Sequence, residues 1–157
     1  MTVTPTRDTD QRDTAVRTLD HEIGLLLRRI RRGIAERAVQ VHPELNATSY
    51  SLLTTLAEFG PRRAADLAEL FAMDKGTVSR VVHQLAELGL VDRSPDPDDG
   101  RASILSVTAE ATRRLGLMHE RTRELFGERL ADWAAEDIED LAIQLARFNA
   151  DVFDAPV

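Results

Sequence analysis

The stretch Asp74–Thr108, DKGTVSRVVHQLAELGLVDRSPDPDDGRASILSVT, decides how the rest of the chain is read. Asp74 is a good N-cap residue, and Val78, Val82 and Leu85 recur at the spacing of one buried helical stripe. Gly89 stops that helix. A short strand over LVDR (90–93) follows, then an acidic, proline-bearing loop and a second strand over SILSVT (103–108). With the buried stripe subtracted, the helix presents Lys75, Gly76, Thr77, Ser79, Arg80, His83, Gln84 and Glu87, a face without an acid as far as His83. Short hydroxyls and a glycine near a helix N-terminus can approach phosphates and base edges, and Lys75 and Arg80 can pair with phosphate or guanine. A solvated helix face would carry similar residues, so the face acquires meaning only from what surrounds it.

Outward from this stretch the pattern is helical. NATSYSLLTTLAEFG (46–60) reads as a helix closed by Gly60-Pro61, and RRAADLAELFAM (62–73) as another with Leu67, Leu70 and Phe71 inward. Upstream, Val16, Leu19, Ile23, Leu26 and Ile30 follow heptad spacing and predict a long helix over about Thr14–Gln40, ended by Pro43. Downstream, an amphipathic helix from Ala109 carries Leu115, Met118, Leu125, Phe126 and Leu130. A last helix repeats the heptad seam with Ile138, Leu141, Leu145, Phe148 and Val152, with Trp133 placed to staple against Ile138. Such seams either pack on each other within one chain or form a helical dimer interface, and the second reading is adopted.

The expected organisation is a flexible polar tail (1–13), an N-terminal dimerisation helix (14–47), a DNA-binding winged helix-turn-helix (48–108) and C-terminal dimerisation helices (109–157). The fold class is mainly α.

The 157 residues suit one domain, and 43% apolar residues with only 4% aromatics suit an aliphatic helical core. Without cysteine, disulfides, thiolate zinc sites and cysteine redox sensing are excluded. His21, His42, His83 and His119 are scattered, so no metal is expected. No P-loop, GxSxG, HExxH or Gly-rich strand-to-helix turn is present, which argues against an enzyme. The polar N-terminus lacks the apolar core of a signal peptide, and no run is long enough to span a membrane, so a cytoplasmic protein is expected.

The net charge of −7 argues mildly against a nucleic-acid partner, and from Gly60 to Leu105 acids outnumber bases, eight to six. Local patches outrank totals, however. Every basic residue but Lys75 is arginine, and Lys75 sits at the mouth of the helix face described above.

The segment 60–111, with its Gly-Pro turn, DLA helix, D-x-x-T-V-S-R helix, L-x-x-x-G-L-V-x-R exit and D-x-R loop, resembles the MarR family (multiple antibiotic resistance regulators). The resemblance extends over nearly the whole chain from about residue 15. It implies a homodimer bound to a double-stranded DNA operator. Lys75, Thr77, Ser79 and Arg80 would face the major groove, with His83 near a phosphate. Arg101 would enter the minor groove from the wing, steadied by Asp99, and Arg63 would touch the backbone. It further implies a small anionic or aromatic effector bound between dimer helices and winged domain, with no cofactor.

Arg28, Arg29, Arg31 and Arg32 are read as a solvated basic flank in preference to an effector site. The chain departs from the family pattern at Gly100, where a second base is usual, and at Ala134, where a Ser or Thr cap is usual.

The acidic loop does not suit calcium. With Gly100 as the turn glycine, Pro95, Pro97 and Ser106 fall on ligand positions, and only Asp99 could ligate. As a wing tip it needs Asp99 to hold Arg101, with Asp96 and Asp98 facing water. A helical adaptor that uses a winged helix without specific DNA binding remains the alternative.

Overall fold

A computed structural model describes residues 6–97, 99 and 102–153 of the chain. Asp98, Gly100 and Arg101 therefore lie outside the described residues. The chain divides into two compact units, one running to Met118 and one from His119.

In the first unit the order is α1 (Thr6–Val41), α2 (Ala47–Phe59), β1 (Arg62–Arg63), α3 (Ala64–Leu70), α4 (Lys75–Glu87), β2 (Val91–Pro95), β3 (Ser103–Val107) and the start of α5 (Ala109–Arg129). α1 begins at Thr6, so most of the expected polar tail is helical. The Thr14 hydroxyl donates to the Asp10 carbonyl at 2.8 Å. The C-terminal end of α1 is anchored, with Ala38 and Val41 in the core. Upstream, Val16, Leu19, Leu26, Leu27 and Ile30 stay between 40% and 53% exposed along one helix that is about 54 Å long.

The core gathers Leu52, Leu53 and Leu56 of α2, Leu67 of α3, Val78, Val82 and Leu85 of α4, Leu90, Leu105 of β3, and Leu115 of α5. Fully burying a side chain of this kind contributes about 1.5–3 kcal/mol, so α4 is held by its own apolar stripe. Leu70, expected inward, is 60% exposed. α3 ends at that residue, and Ala72 follows with a positive φ, so the inward face passes to Phe71, which packs on the core. Gly60 closes α2 with φ 80° and ψ −173°, a backbone region open in practice only to glycine.

The sheet has a strand that the hydropathy pattern does not reveal. β1, only two residues long, pairs antiparallel with β3 (Arg62 opposite Leu105, Arg63 opposite Ile104). β3 also pairs with β2 from Val91–Val107 to Pro95–Ser103, which makes β3 the central strand. Beyond Pro95 the Asp96 N–H donates to the Ala102 carbonyl at 3.1 Å, closing the base of the loop.

The second unit holds the rest of α5 and α6 (Ala135–Phe153). Ala134 precedes α6 and its carbonyl accepts from the Ile138 N–H, so the helix starts without a side-chain cap there. Ile138, Leu141, Leu145 and Val152 lie on α6 between 36% and 52% exposed. No helix among the described residues is long and apolar enough to cross a membrane.

Candidate nucleic-acid interface

The N-terminal turn of α4 is built by a relay of three side chains. Asp74 caps the helix by accepting from the Thr77 N–H at 2.9 Å, and the Thr77 hydroxyl donates to its other carboxylate oxygen at 2.6 Å. Arg80 Nη2 in turn donates to the Thr77 hydroxyl at 3.0 Å. The two bonds from Thr77, with Arg80 nearby, hold the Asp74 carboxyl below its ordinary range. The result is a fixed acid at the helix start and an arginine one turn further on, tied to it through Thr77. Lys75, Gly76, Ser79, Arg80 and His83 are exposed on this face, and Thr77 is half-buried within the relay. His83 Nε2 lies 3.4 Å from Glu87.

Gln84 does not belong to that face. Its Oε1 accepts from the Ser49 hydroxyl at 3.0 Å and its Nε2 donates to the Glu44 carbonyl at 2.9 Å. Ser49 is fully buried. Gln84 thus joins α4 to the start of α2 and to the turn before it, and its exposed-face assignment is corrected. Helical spacing placed it at the margin of the outer face, where only the position of α2 decides which way it turns.

Beside α4, a cleft of about 390 Å³ is lined by Ser79 and Val82, by Arg63 and Ala64, and by Arg93, Asp99 and Leu105 of the sheet side. The fold therefore brings Arg63, Ser79 and Asp99, three of the residues singled out in the sequence, to one cleft. Lys75, Thr77 and Arg80 lie on the first two turns of α4, while His83 lies further along the helix. Arg93, which sequence reasoning did not select, joins the cleft from β2. Arg101 falls outside the described residues, so its pairing with Asp99 is not described either.

Asp96 also escaped sequence reasoning. Expected to face water, it is buried, and its Oδ2 accepts from Arg63 Nε. The hydrogen bond and charge of Asp96, with lesser contributions from Asp66 and Asp99, hold the Arg63 guanidinium above the usual arginine range. The physical reason for the correction is that a lone buried carboxylate is strongly disfavoured, whereas one bonded to a guanidinium is compensated. Sequence distance hides the pair, since its members stand 33 residues apart. The one local hint is that Arg63 occupies the N-cap of α3, where a side-chain acceptor would be expected. Arginine has no acceptor, so it cannot cap that helix with its own side chain. Instead Asp66 accepts from the Arg63 N–H at 3.2 Å, which leaves the guanidinium for other work.

Among the described residues no cluster of His, Cys, Asp or Glu is arranged to hold a metal ion. The arrangement as a whole suits recognition of an extended polyanion: a helix N-terminus, hydroxyls and cations on one surface.

Comparison with known proteins places the chain in a family. Residues 45–103 match the family model described as MarR family. The HTH-type transcriptional regulator YxaD of Bacillus subtilis is 30% identical over 139 residues, 88% of this chain and 96% of its own. Among solved structures, RV1404 from Mycobacterium tuberculosis superposes with a TM-score of 0.74 at 21% identity, over 98% of this chain and 99% of that one. A MarR mutant from E. coli complexed with operator DNA superposes with a TM-score of 0.61 at 19% identity, over 85% and 94% of the two chains.

Proposed function

Because the chain belongs to the MarR family of transcriptional regulators, which are not enzymes, we propose that it acts in the cytoplasm as a homodimeric repressor on a pseudo-palindromic operator. A small anionic or aromatic effector would release it. The observation that carries this reading is the Asp74–Thr77–Arg80 relay, which holds Arg80 on the same exposed face as Lys75 over the first two turns of a helix anchored by Val78, Val82 and Leu85.

In this reading Lys75, Thr77, Ser79 and Arg80 meet the major groove, with His83 and Arg63 at phosphates. Arg101, steadied by Asp99, takes the minor groove as a contact to its shape more than to its bases. The exposed apolar residues of α1 and those of α6 support dimerisation, since seams of that length are poorly tolerated in water. A two-fold dimer would set its recognition helices about 34 Å apart, one turn of DNA. The superposition on a MarR mutant crystallised with operator DNA supports the same mode.

The test is fluorescence anisotropy with DNA from the protein's own promoter region, titrated across salt. Sequence-dependent, salt-sensitive binding is expected, and Arg101→Ala should weaken it while light scattering still reports a dimer. Lys75→Ala should reduce the salt slope by about one counterion. Binding that ignores both sequence and salt would favour the adaptor reading instead.

A further inference from the structure

We propose that Asp96 is a positioning residue for DNA binding: it grips Arg63 across the sheet and so presents that guanidinium, already ordered, to a backbone phosphate. The inference rests on the DNA-binding reading above and adds to it a residue with no surface of its own to offer DNA.

The geometry starts from the order of the strands. Arg63 stands on β1 opposite Ile104 of the central strand β3, and Asp96 follows Pro95, which pairs with Ser103 on the far side of β3. The Arg63 side chain therefore spans the central strand to reach Asp96 at the base of the wing. The exposure of the two partners is unequal. The Asp96 side chain is 1% exposed and that of Arg63 is 40% exposed. The acid is withdrawn from the surface while the base remains on it.

Arg63 uses Nε toward Asp96, and a guanidinium has four further N–H donors in a rigid plane. Asp66 and Asp99, the other acids near this guanidinium, bear on it less strongly than Asp96 does. A free arginine loses rotamer entropy when it settles on a phosphate, and one held beforehand loses less.

This arrangement makes a prediction opposite in sign to simple electrostatics. Removing an acid from beside a DNA-binding surface should, on charge alone, tighten binding. If Asp96 positions Arg63, Asp96→Asn should weaken it.

The experiment measures operator affinity by anisotropy across a salt series for the full chain, for Asp96→Asn, for Arg63→Gln and for the double variant. Thermal unfolding first identifies a temperature at which each is fully folded. Asp96→Asn should lose about fivefold in affinity, within the range expected for freeing one long side chain. Its salt slope should fall toward that of Arg63→Gln, which should be lower by about one counterion. In the Arg63→Gln background, Asp96→Asn should change nothing, since its effect acts through Arg63. If Arg63→Gln does not fold, Arg63→Lys takes its place. An ammonium keeps the charge but lacks the guanidinium's planar fork, so a loss of affinity with a smaller change in salt slope is expected.

Equal or tighter binding by Asp96→Asn overturns the inference, as does a loss of equal size in the absence of Arg63. Failure of the unaltered protein to bind DNA overturns the functional reading itself, and is told apart by the wild-type titration alone.

Discussion

Replacing Gln84 by alanine tests whether the recognition-type helix is locked to the body of the domain by a polar clasp as well as by its apolar stripe. The side chain makes two bonds, 3.0 Å from the Ser49 hydroxyl and 2.9 Å to the Glu44 carbonyl. Each is worth about 1 kcal/mol net, and stranding a buried hydroxyl adds about 1 kcal/mol, for a total of about 3 kcal/mol. Ser49 is fully buried, so water cannot simply replace the lost acceptor. For a chain of this size about 1 kcal/mol moves the melting temperature by about 2–4 °C, so a fall of about 6–12 °C is expected. Scanning calorimetry at fixed protein concentration reads it, because an oligomer's melting temperature depends on concentration. Ser49→Ala, which leaves no hydroxyl to strand, should be milder. The double variant should be more stable than the sum of the singles by about 1 kcal/mol. Additive effects within about 0.3 kcal/mol, or a fall of less than 1 °C for Gln84→Ala alone, would refute the clasp.

Two further outcomes follow from the hydrogen bonds. The Thr108 hydroxyl accepts from the Ala111 N–H at 3.1 Å and donates to the Gly89 carbonyl at 2.8 Å, capping α5 and tying it to the exit of α4. Thr108→Ala should lower stability by about 1–2 kcal/mol in urea unfolding, with an unchanged m-value. At the start of α5, Arg113 and Arg114 hold the Glu110 carboxyl down to about 2 from 4.5, and Arg114 also donates to the Val41 carbonyl at 3.0 Å. A depressed carboxyl stabilises the fold fully above its unfolded value and loses that contribution as pH falls through the folded one. Glu110→Gln should therefore melt earlier than wild type at pH 6–7, and the two should converge as pH falls from about 4.5 to about 2.

Local signals were sufficient for much of the molecule. Asp74 before an apolar stripe marks an N-cap, and Gly60 and Gly89 mark helix ends, because each of these features depends on a few adjacent residues. Val78, Val82 and Leu85 are readable as core for the same reason: helical periodicity is a property of the segment. By the same logic Leu70 misled. A stripe extrapolated to the last residue of a short helix ignores the turn at Ala72 that redirects the chain.

What the amino-acid order determined by itself is most of the order of helices and strands, the caps at Asp74, Gly60 and Gly89, and the winged helix-turn-helix they compose. What only the tertiary structure decided is where polar side chains at the margins of those elements turn. β1 is too short to carry a period of its own and exists because β3 offers it a partner. Gln84 turns inward because α2 brings Ser49 to it across 35 residues of chain. Asp96 looks like one acid among several in a solvated loop, yet the fold buries it against an arginine on another strand. Periodicity is local and is written in neighbours. The partner of a buried charge is chosen by three-dimensional proximity, which neighbours in sequence do not encode.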